Sequence, residues 1–405
     1  MYRIWYSTED FADYIIEYTN LKDKAVEKKK LYESDANNKN FHKVPDHIKK
    51  ILYLDCPDLI IELNDEPILS IELSKEAGTG HNAFQRFARL AAAVENNVPA
   101  FYIYPEAVVI ERKDSSIRWD KFNPLVFKAL NDMMDIYKIP ALLFFHPSRL
   151  NDTDADITKI ENKGLVNDEN YISCPNSSDD EMQAMFRTIN EIVKTIEEKG
   201  VIEGRGSLIS NMVIRERRNK MAEDYAARAT SETPSPLSST KEIDTEILLN
   251  YLSKYESDEY QIGSLLRSRE KTIVYCVNAK FRGDPYPGAL AAIDYLKCRE
   301  GKTFEDRKYN LIMVWGKLSV DLEKQSMEVI DENGSSIKDF VSDVKSCENR
   351  NLLTKEYQQL NNSDIPRYYM QVRYGSMFSK VKHIRVYSYF ADAIIFPDGS
   401  LWRDA

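Results

Sequence analysis

The chain is poor in cysteine and has no long apolar run, and each shortage disfavours a class of protein. Its five cysteines, Cys56, Cys174, Cys276, Cys298 and Cys347, are widely spaced and include no C-x-x-C pair. A disulfide framework or a structural zinc site is therefore disfavoured. No apolar run approaches the ~20 residues that cross a bilayer, and the first residues lack the apolar stretch of a secretory signal. We therefore expect a cytoplasmic protein with no membrane partner.

Three catalytic signatures are also missing from the sequence. The five histidines show neither H-x-x-x-H nor H-E-x-x-H spacing, which disfavours a zinc hydrolase. There is no G-x-x-x-x-G-K-[ST] loop, so the sequence does not encode ATP-driven translocation. The nucleophile elbow G-x-S-x-G is missing as well, which disfavours a serine hydrolase of that type.

What the chain does have is charge, with an excess of acid. It contains 55 Lys and Arg against 65 Asp and Glu, a net charge of −10, while apolar residues make up 43%. These proportions are close to the globular average and exclude wholesale disorder. The 405 residues suggest two or three domains. The acidic balance argues against a protein that coats nucleic acid nonspecifically, but it is compatible with a locally basic cleft.

Changes of pattern divide the chain into four segments. Residues 1–50 are predicted to form an N-terminal helical element, and residues 51–150 an α/β domain. Residues 151–240 are predicted to form a helical connector, which ends in the linker Ser231–Thr240, rich in Ser, Thr and Pro. Residues 241–405 are predicted to form a second α/β domain.

The N-terminal prediction rests on Phe11, Tyr14, Ile15 and Tyr18, which recur at helical spacing. A run of lysines over residues 22–30 follows. One interpretation of this run is a solvated helix face, and the other is an arm that contacts phosphate.

The α/β prediction rests on apolar segments with turn signals between them. Leu59–Leu63 and Ile68–Ser74 are predicted strands of a hairpin, and a helix over 84–94 and strands at 99–104 and 141–145 follow. The order strand, loop, helix, strand occurs at about 68–104 and again at about 272–315. The repeat indicates either a related second module or the general frequency of this unit.

Two acidic residues of the first module could hold a metal ion. Asp58 precedes the first hairpin strand, and Glu72 lies near the end of the second, so a hairpin would bring them together. Carboxylates fixed by a sheet are ligands that Mg²⁺ accepts, with water and phosphate in its remaining positions. Glu62, four residues after Asp58, is a possible third ligand or a solvent-facing residue.

Pro57-Asp58 followed by Glu72 resembles the motif of the PD-(D/E)xK nuclease superfamily, which includes many restriction endonucleases. The resemblance implies that both acids bind Mg²⁺ and that a lysine two positions after the second acid orients or activates water. Ser74 stands at that position, which departs from the family pattern. Lys75, on the opposite strand face from Glu72, or Gln85 or Arg86 on the next helix, would have to take the role of the lysine.

The helix that follows Glu72 carries polar residues suited to phosphate. Asn82 is a candidate N-cap, and free N–H groups at a helix start attract anions. Arg86 and Arg89 could neutralise phosphate charge, although a solvated helix face is an equally simple interpretation.

The second module has Lys280 at the family spacing but Asn278 in place of the acid. It could be an active site with unusual ligands, a decayed copy reused for DNA binding, or an unrelated domain. Lys280 and Arg282 are candidate DNA contacts in the second interpretation.

The sequence thus predicts a restriction-endonuclease-like mixed sheet flanked by helices, with a second α/β domain of similar pattern. The resemblance implies a Mg²⁺-dependent endonuclease on double-stranded DNA, of the type II restriction or phage-defence kind. Because two strands must be cut, one active site per chain implies a homodimer. Two alternatives stay open, namely an inactive DNA-binding protein of nuclease fold and a composite site that uses Lys280.

Overall fold

The computed structural model describes most of the chain up to residue 228 and shorter segments after it. The described residues are 1–32, 40, 43–52, 56–76, 80–112, 115–152, 156–228, 240–253, 269–277, 285–299, 308–315, 317–330, 391–395 and 401–402. They fall into two compact units. The first comprises Met1–Glu33, Asn38–Gly78 and Arg89–Ser231, and the second comprises the remaining residues.

The N-terminal part of the chain alternates strands and helices and ends in three consecutive helices. In chain order its elements are β1 (Tyr2–Tyr6), α1 (Glu9–Glu17), β2 (Val26–Lys30), α2 (Asp46–Lys49), β3 (Leu59–Leu63), β4 (Glu66–Leu73), α3 (Gly80–Glu95), β5 (Ala100–Pro105), β6 (Ala107–Arg112), β7 (Ser115–Lys121), α4 (Leu125–Tyr137), β8 (Ala141–His146), α5 (Asp180–Lys199), α6 (Val201–Ser207) and α7 (Met212–Arg228).

Six of these strands form one mixed sheet in the order β2-β1-β3-β4-β5-β8. Strands β4, β5 and β8 are mutually parallel, whereas β3 is antiparallel to both of its neighbours, β1 and β4. Helices flank this sheet, so the predicted mixed α/β architecture is confirmed at this level. Strands β6 and β7 form a separate two-stranded hairpin that follows β5 directly.

The prediction of a helical element over residues 1–50 is wrong for Tyr2–Tyr6 and Val26–Lys30, which form strands β1 and β2. Tyr2–Tyr6 consists of three aromatic residues, one β-branched residue and one arginine, a composition that favours a strand. It lies inside the sheet between β2 and β3. Most of the lysine run lies in β2, where Lys28 binds Glu9 and Asp13 of α1. Lysines of this kind are typical of exposed sheet edges.

The β3–β4 hairpin has the predicted position and a tight turn. Asn64 and Asp65 have φ angles of 52° and 63°, the left-handed values that a two-residue hairpin turn requires. Asn and Asp accept this conformation at lower cost than other non-glycine residues. A bulge between Ile61 and Glu62 shifts the register near the turn.

Strands β5 and β8 carry aromatic side chains on both faces of the sheet. Strands β5 and β8 are buried along their whole length, as parallel strands covered by helices should be. On one face the rings of Phe101 and Phe144 lie 5.0 Å apart, and on the other Phe127 of α4 lies 5.8 Å from Phe145. Truncating one of these side chains to Ala would cost about 3–5 kcal/mol.

The edge strand β8 is covered by side chains of the helices that follow it. Arg217 of α7 donates to the carbonyl oxygen of Leu143 from Nε at 2.8 Å and also from Nη2. Glu181 of α5 accepts from the amide of Phe145 at 3.2 Å and binds Arg217 Nη2 at 2.7 Å. Met221 Sδ accepts from the amide of Leu143. The amide and carbonyl of Leu143 and the amide of Phe145 are therefore hydrogen-bonded to side chains of these helices.

The second unit also contains a mixed sheet. Its elements from residue 240 onward are β9 (Thr240–Asp244), α8 (Thr245–Leu252), β10 (Lys271–Val277), α9 (Pro285–Cys298), β11 (Asn310–Trp315), β12 (Lys317–Asp321), β13 (Ser326–Ile330), β14 (Ala393–Ile395) and β15 (Leu401–Trp402). Five strands have the order β15-β14-β11-β10-β9. The predicted strand, helix, strand order is present as β10, α9 and the parallel strand β11. A common origin with the first module stays a prediction.

A buried polar cluster joins the first residues of three elements in the second unit. The hydroxyl oxygens of Thr245 and Thr272 lie 2.9 Å apart, and Asn310 Nδ2 donates to Thr272 at 3.1 Å. Such a cluster fixes the register of β10 and β11.

The predicted linker falls on residues outside the described ranges, apart from Thr240. None of the described helices is long and apolar enough to cross a membrane.

Candidate functional site

The carboxyl ends of β4, β5 and β8 meet at one edge of the first sheet. Open α/β sheets bind ligands at this kind of edge. Because β3 runs antiparallel to β4, its first residues lie at the same edge, next to the last residues of β1. Asp58, Glu72, Ser74, Lys75 and His146 all belong to this region.

Asp58 is held at the end of β4 by hydrogen bonds. Its Oδ2 accepts from the amide of Leu73 at 2.8 Å, and its Oδ1 accepts from the hydroxyl of Ser7 at 3.4 Å. The amide of Ser7 in turn donates to the carbonyl oxygen of Asp58 at 2.9 Å. The carboxylate is therefore fixed between the ends of β1 and β4 while the residue stays half-buried.

The register of the hairpin places Glu72 opposite Asp58. Leu59 pairs with Ile71 and Ile60 with Ser70, so position 58 continues the pairing to position 72. Residues opposite each other on antiparallel strands have Cβ atoms about 4.5–5.5 Å apart. The register therefore places positions 58 and 72 opposite each other, and a shared metal site on these two acids stays a prediction.

Glu72 is completely buried and forms an ion pair with Arg89. The exposed fraction of Glu72 is 0%, and that of Arg89 is 7%. Arg89 Nη1 donates to Glu72 Oε1 at 2.7 Å. A buried carboxylate requires such compensation because leaving water is costly for a charge.

This ion pair corrects the prediction for Arg89. The sequence placed Arg89 on a polar helix side that faces phosphate, whereas the structure places its guanidinium in the protein interior, on Glu72. Arg86 is half-buried on the same helix. Gln85 also lies in α3, and its side chain is outside the described part. The helix begins at Gly80, two residues before the predicted cap Asn82.

Ser74 ends strand β4 by forming a local turn. Its hydroxyl donates to the carbonyl oxygen of Glu76 at 3.2 Å and accepts from the amide of Glu76 at 3.4 Å. Side chains of Ser often form such turns. The residue in the position of the family lysine thus has a structural hydrogen-bonding role.

Lys75 lies two residues beyond the end of β4, so strand alternation does not fix the sheet face on which its side chain lies. Its charge acts on His146 and on Cys174. Arg89 is a cation that binds Glu72 directly. The predicted catalytic role of Lys75 stays a prediction.

His146 ends β8 in an almost completely buried position. Its Nδ1 lies 3.1 Å from the carbonyl oxygen of Pro147, so this nitrogen carries the hydrogen, and Nε2 has no hydrogen-bond partner among the described residues. Burial lowers the pKa of His146 from 6.5 to about 4; the Pro147 contact opposes the shift, and Lys75 adds to it. The imidazole is therefore neutral at pH 7.

The structure separates Glu62 from the other acids. Glu62 lies four residues along β3 from Asp58, or about 13 Å at the usual rise of a strand. Trp5 Nε1 donates to its Oε2 at 2.5 Å, Arg3 binds its Oε1, and His47 Nε2 lies 3.4 Å from Oε2. The prediction of Glu62 as a third metal ligand is corrected by this internal network.

Two basic residues of α7 are bound within the protein, since Arg217 binds Glu181, and Arg218 binds Asn131 and Asp135. Lys280, Arg282 and Asn278 belong to the residues that the structure does not describe, so their predicted roles stay predictions.

Asp58 and Glu72 are the two carboxylates that the sequence predicted as Mg²⁺ ligands at this sheet edge, and Arg89 occupies Oε1 of Glu72. Two carboxylates on adjacent strands are oxygen donors of the kind that Mg²⁺ takes, and it usually keeps several waters. Among the described residues there is no cluster of three or more His, Cys, Asp or Glu side chains arranged for a metal. A site here would therefore rest on Asp58 and Glu72.

The sequence analysis missed the residues that support these acids. Trp5, which holds Glu62, belongs to strand β1, which was not predicted, and Ser7, which holds Asp58, follows that strand directly. The aromatic and β-branched composition of residues 2–6 was the available signal. No local signal marks His146, because its burial depends on the packing of distant segments.

Comparison with models of known protein families, with curated proteins and with solved structures gives no match.

Proposed function

We propose that this protein is a Mg²⁺-dependent endonuclease of the PD-(D/E)xK type that hydrolyses double-stranded DNA. The observation that carries the proposal is the hairpin register, which pairs Leu59 with Ile71 at the carboxyl end of β4 and so supports a position of Asp58 opposite Glu72. The succession of hairpin, helix α3 and parallel strand β5 supports the restriction-endonuclease-like fold. A type II restriction enzyme or a phage-defence nuclease is the corresponding biological role.

In this proposal Asp58 and Glu72 hold the ion, and the residues around them fix its ligands. The ion, when bound, would stabilise charge on the phosphodiester and lower the pKa of the attacking water. Ser7 and the amide of Leu73 orient Asp58, and Arg89 orients Glu72. Gln85 and Arg86 remain candidates for contacts with water and phosphate.

The partner in this proposal is duplex DNA, and the assembly is a homodimer. A hydrolytic site with one metal cuts one strand, so two copies related by a twofold axis would cut both. Lys280 and Arg282 of the second unit are the proposed additional DNA contacts.

The test is cleavage of several unrelated plasmid and phage DNAs with purified full-length protein, with Mg²⁺ or with EDTA. The variants Asp58→Asn and Glu72→Gln should lose cleavage at least a hundredfold, since each removes one charged ligand. Glu62→Gln is the matched control, a glutamate on the same hairpin that lies away from the pair, and it should keep cleavage. Retained cleavage in both site variants would refute the proposal.

The alternative is a catalytically inactive DNA-binding protein. The observation that favours it is the complete burial of Glu72 against Arg89, together with Ser74 in the lysine position. Binding of duplex DNA without cleavage of any tested DNA, under all Mg²⁺ and Mn²⁺ concentrations, would support this alternative.

A further inference from the structure

We propose that duplex DNA lies across the carboxyl edge of the first sheet and that four basic residues bind its phosphates there. We call these residues the edge cations; they are Lys30, Lys75, Arg118 and Arg149. The inference rests on the proposed function, because it takes duplex DNA as the partner, and it names the residues of the first unit that hold the DNA. Lys30 belongs to the lysine run for which the sequence left a phosphate contact open.

The first argument is the position of Lys30 and Lys75 on the sheet edge. Lys30 is the last residue of β2 and pairs with Tyr6, the last residue of β1. Tyr6 in turn pairs with Leu59, the residue after Asp58. Lys30 therefore lies at the carboxyl edge two strands from β3, and Lys75 follows the end of β4 on the other side of β3.

Arg118 and Arg149 lie farther along the same edge. Arg149 follows the end of β8, and its amide donates to the carbonyl oxygen of Gly164 at 2.8 Å. Arg118 lies opposite Ile110 in the β6–β7 hairpin, which leaves the sheet at the end of β5. Ile110 packs against the apolar cluster that contains Leu165, the residue after Gly164. The two arginines are therefore held on segments that are anchored to the same loop.

The second argument is that the charge of the edge cations is available. Lys30, Arg118 and Arg149 are exposed, and Lys75 is half-buried. Within the described part of the chain, none of these four side chains forms a hydrogen bond or an ion pair. Exposed cations without an acidic partner are the groups that phosphate contacts use.

Acidic residues near the edge limit how strong the binding can be. Glu76, the neighbour of Lys75, binds Lys163 at 3.2 Å, so its charge is compensated. Asp10 and Glu161 are exposed acids of the same region. DNA would therefore be held by a few phosphate contacts rather than by a broad positive field.

The third argument is the length of the edge. Five strand spacings separate β2 from β8, or about 24 Å at the usual distance between neighbouring strands. One turn of B-DNA is about 34–36 Å long, so all the edge cations would meet a duplex within a single turn. A two-stranded ribbon such as the β6–β7 hairpin also fits the major groove.

The test is binding of a labelled duplex by the full-length protein in Ca²⁺, measured by fluorescence anisotropy at several salt concentrations. The site variant combines Lys30→Gln, Arg118→Gln and Arg149→Gln, and it keeps Lys75 because that residue is a catalytic candidate. At low salt it should bind roughly tenfold more weakly than wild type or worse. Its slope of log affinity against log salt should fall by roughly two to three, since each phosphate contact contributes about 0.9.

The matched control removes the same charges from exposed positions of α5 and α7. It combines Arg187→Gln, Lys194→Gln and Arg215→Gln. Its affinity should stay within about threefold of wild type, because distant exposed charges are screened. All six substitutions change exposed side chains, so the fold should be kept, and circular dichroism checks this. Equal losses in the two triple variants, or an unchanged site variant, would overturn the inference.

The two proposals fail in different ways. DNA cleavage by wild type, together with normal duplex binding by the site variant, refutes the edge cations alone. Loss of duplex binding by the site variant of a protein that cleaves no DNA supports the edge cations and refutes the nuclease. A larger loss for duplex RNA than for duplex DNA would assign the edge to RNA and overturn the inference, as would wild-type protein that binds no duplex DNA.

Discussion

His146 makes the stability of the protein depend on pH. A histidine buried in neutral form takes up a proton less readily in the folded state than in the unfolded chain. Because its folded pKa is about 4 against an ordinary 6.5, its contribution is fully present above pH 6.5 and is lost as the pH falls towards 4. The shift corresponds to about 3 kcal/mol at most.

We expect His146→Asn to lose less stability between pH 6.5 and pH 4 than wild type, by up to about 3 kcal/mol. Asn can keep the hydrogen bond to Pro147 without a titrating group. The measurement is urea unfolding of both proteins across this pH range. Parallel pH curves for the two proteins would contradict the assignment of His146 as a buried neutral group.

Glu62 allows a second prediction at the scale of the residue. Glu62→Gln weakens the contact with Arg3 and should lower the free energy of unfolding by about 1–3 kcal/mol. The Mg²⁺ affinity of this variant should match that of wild type, because Glu62 and its hydrogen-bonding partners lie about 13 Å along β3 from Asp58. Chemical unfolding and calorimetric titration measure the two quantities. A loss of Mg²⁺ affinity would restore Glu62 as a metal ligand.

The sequence predicted the acid pair but not the groups that hold it. Asp58 and Glu72 could be paired because the hairpin and its short turn are local features, and local spacing then fixes which positions lie opposite. The contact of Trp5 could not be assigned, since it joins β1 to Glu62, 57 residues further along the chain. The burial of Arg89 and His146 could not be assigned either, since it depends on how the helices and strands pack together. Polarity alone suggested solvent for Arg89, whereas burial against a carboxylate is decided by tertiary packing.

At the scale of elements, strands with strong apolar character were predicted well. Strands β3, β5, β8 and β11 lie within a residue or two of their predicted bounds. Strands β1 and β2 were missed, because the helical spacing of apolar residues in α1 was taken to indicate a helical element over all of residues 1–50. Charged edge strands such as β2 carry little apolar pattern, so periodicity cannot reveal them.

Helix α7 provides a prediction for one element contact. Burial by itself would raise the pKa of Glu181, but the ion pair and hydrogen bond with Arg217 outweigh it and lower that pKa. Arg217→Met would leave this carboxylate without its closest cation. We expect a loss of about 3–5 kcal/mol in the free energy of unfolding.

The matched control for this variant is Arg218→Met, one position along the same helix. Arg218 pairs with the exposed Asp135, so its loss should cost within about 1 kcal/mol. Thermal or urea unfolding of both variants gives the comparison. Equal costs for the two substitutions would contradict the role of Arg217 as the link between α7 and β8.

At the scale of the whole molecule, the net charge of −10 predicts the strength of nonspecific DNA binding better than the clusters of basic residues in the sequence do. Lys28, Arg89, Arg217 and Arg218 all have acidic partners within the protein. These residues therefore contribute little free positive charge to a DNA-binding surface.

We accordingly expect nonspecific duplex binding to be weak and only moderately sensitive to salt. A plot of the logarithm of affinity against that of salt concentration should correspond to roughly four or fewer neutralised phosphates. Fluorescence anisotropy with a labelled duplex in Ca²⁺ measures this slope. A slope that corresponds to eight or more phosphates would show that a large basic surface exists after all.

The covered edge of β8 limits how two copies of the chain could associate. A second strand could add there only if Arg217, Glu181 and Met221 first released the main chain of Leu143 and Phe145. At the other end, the lysines of β2 oppose pairing with an identical strand, because like charges would face each other. A twofold dimer of this protein would therefore not share one continuous sheet across these two edges.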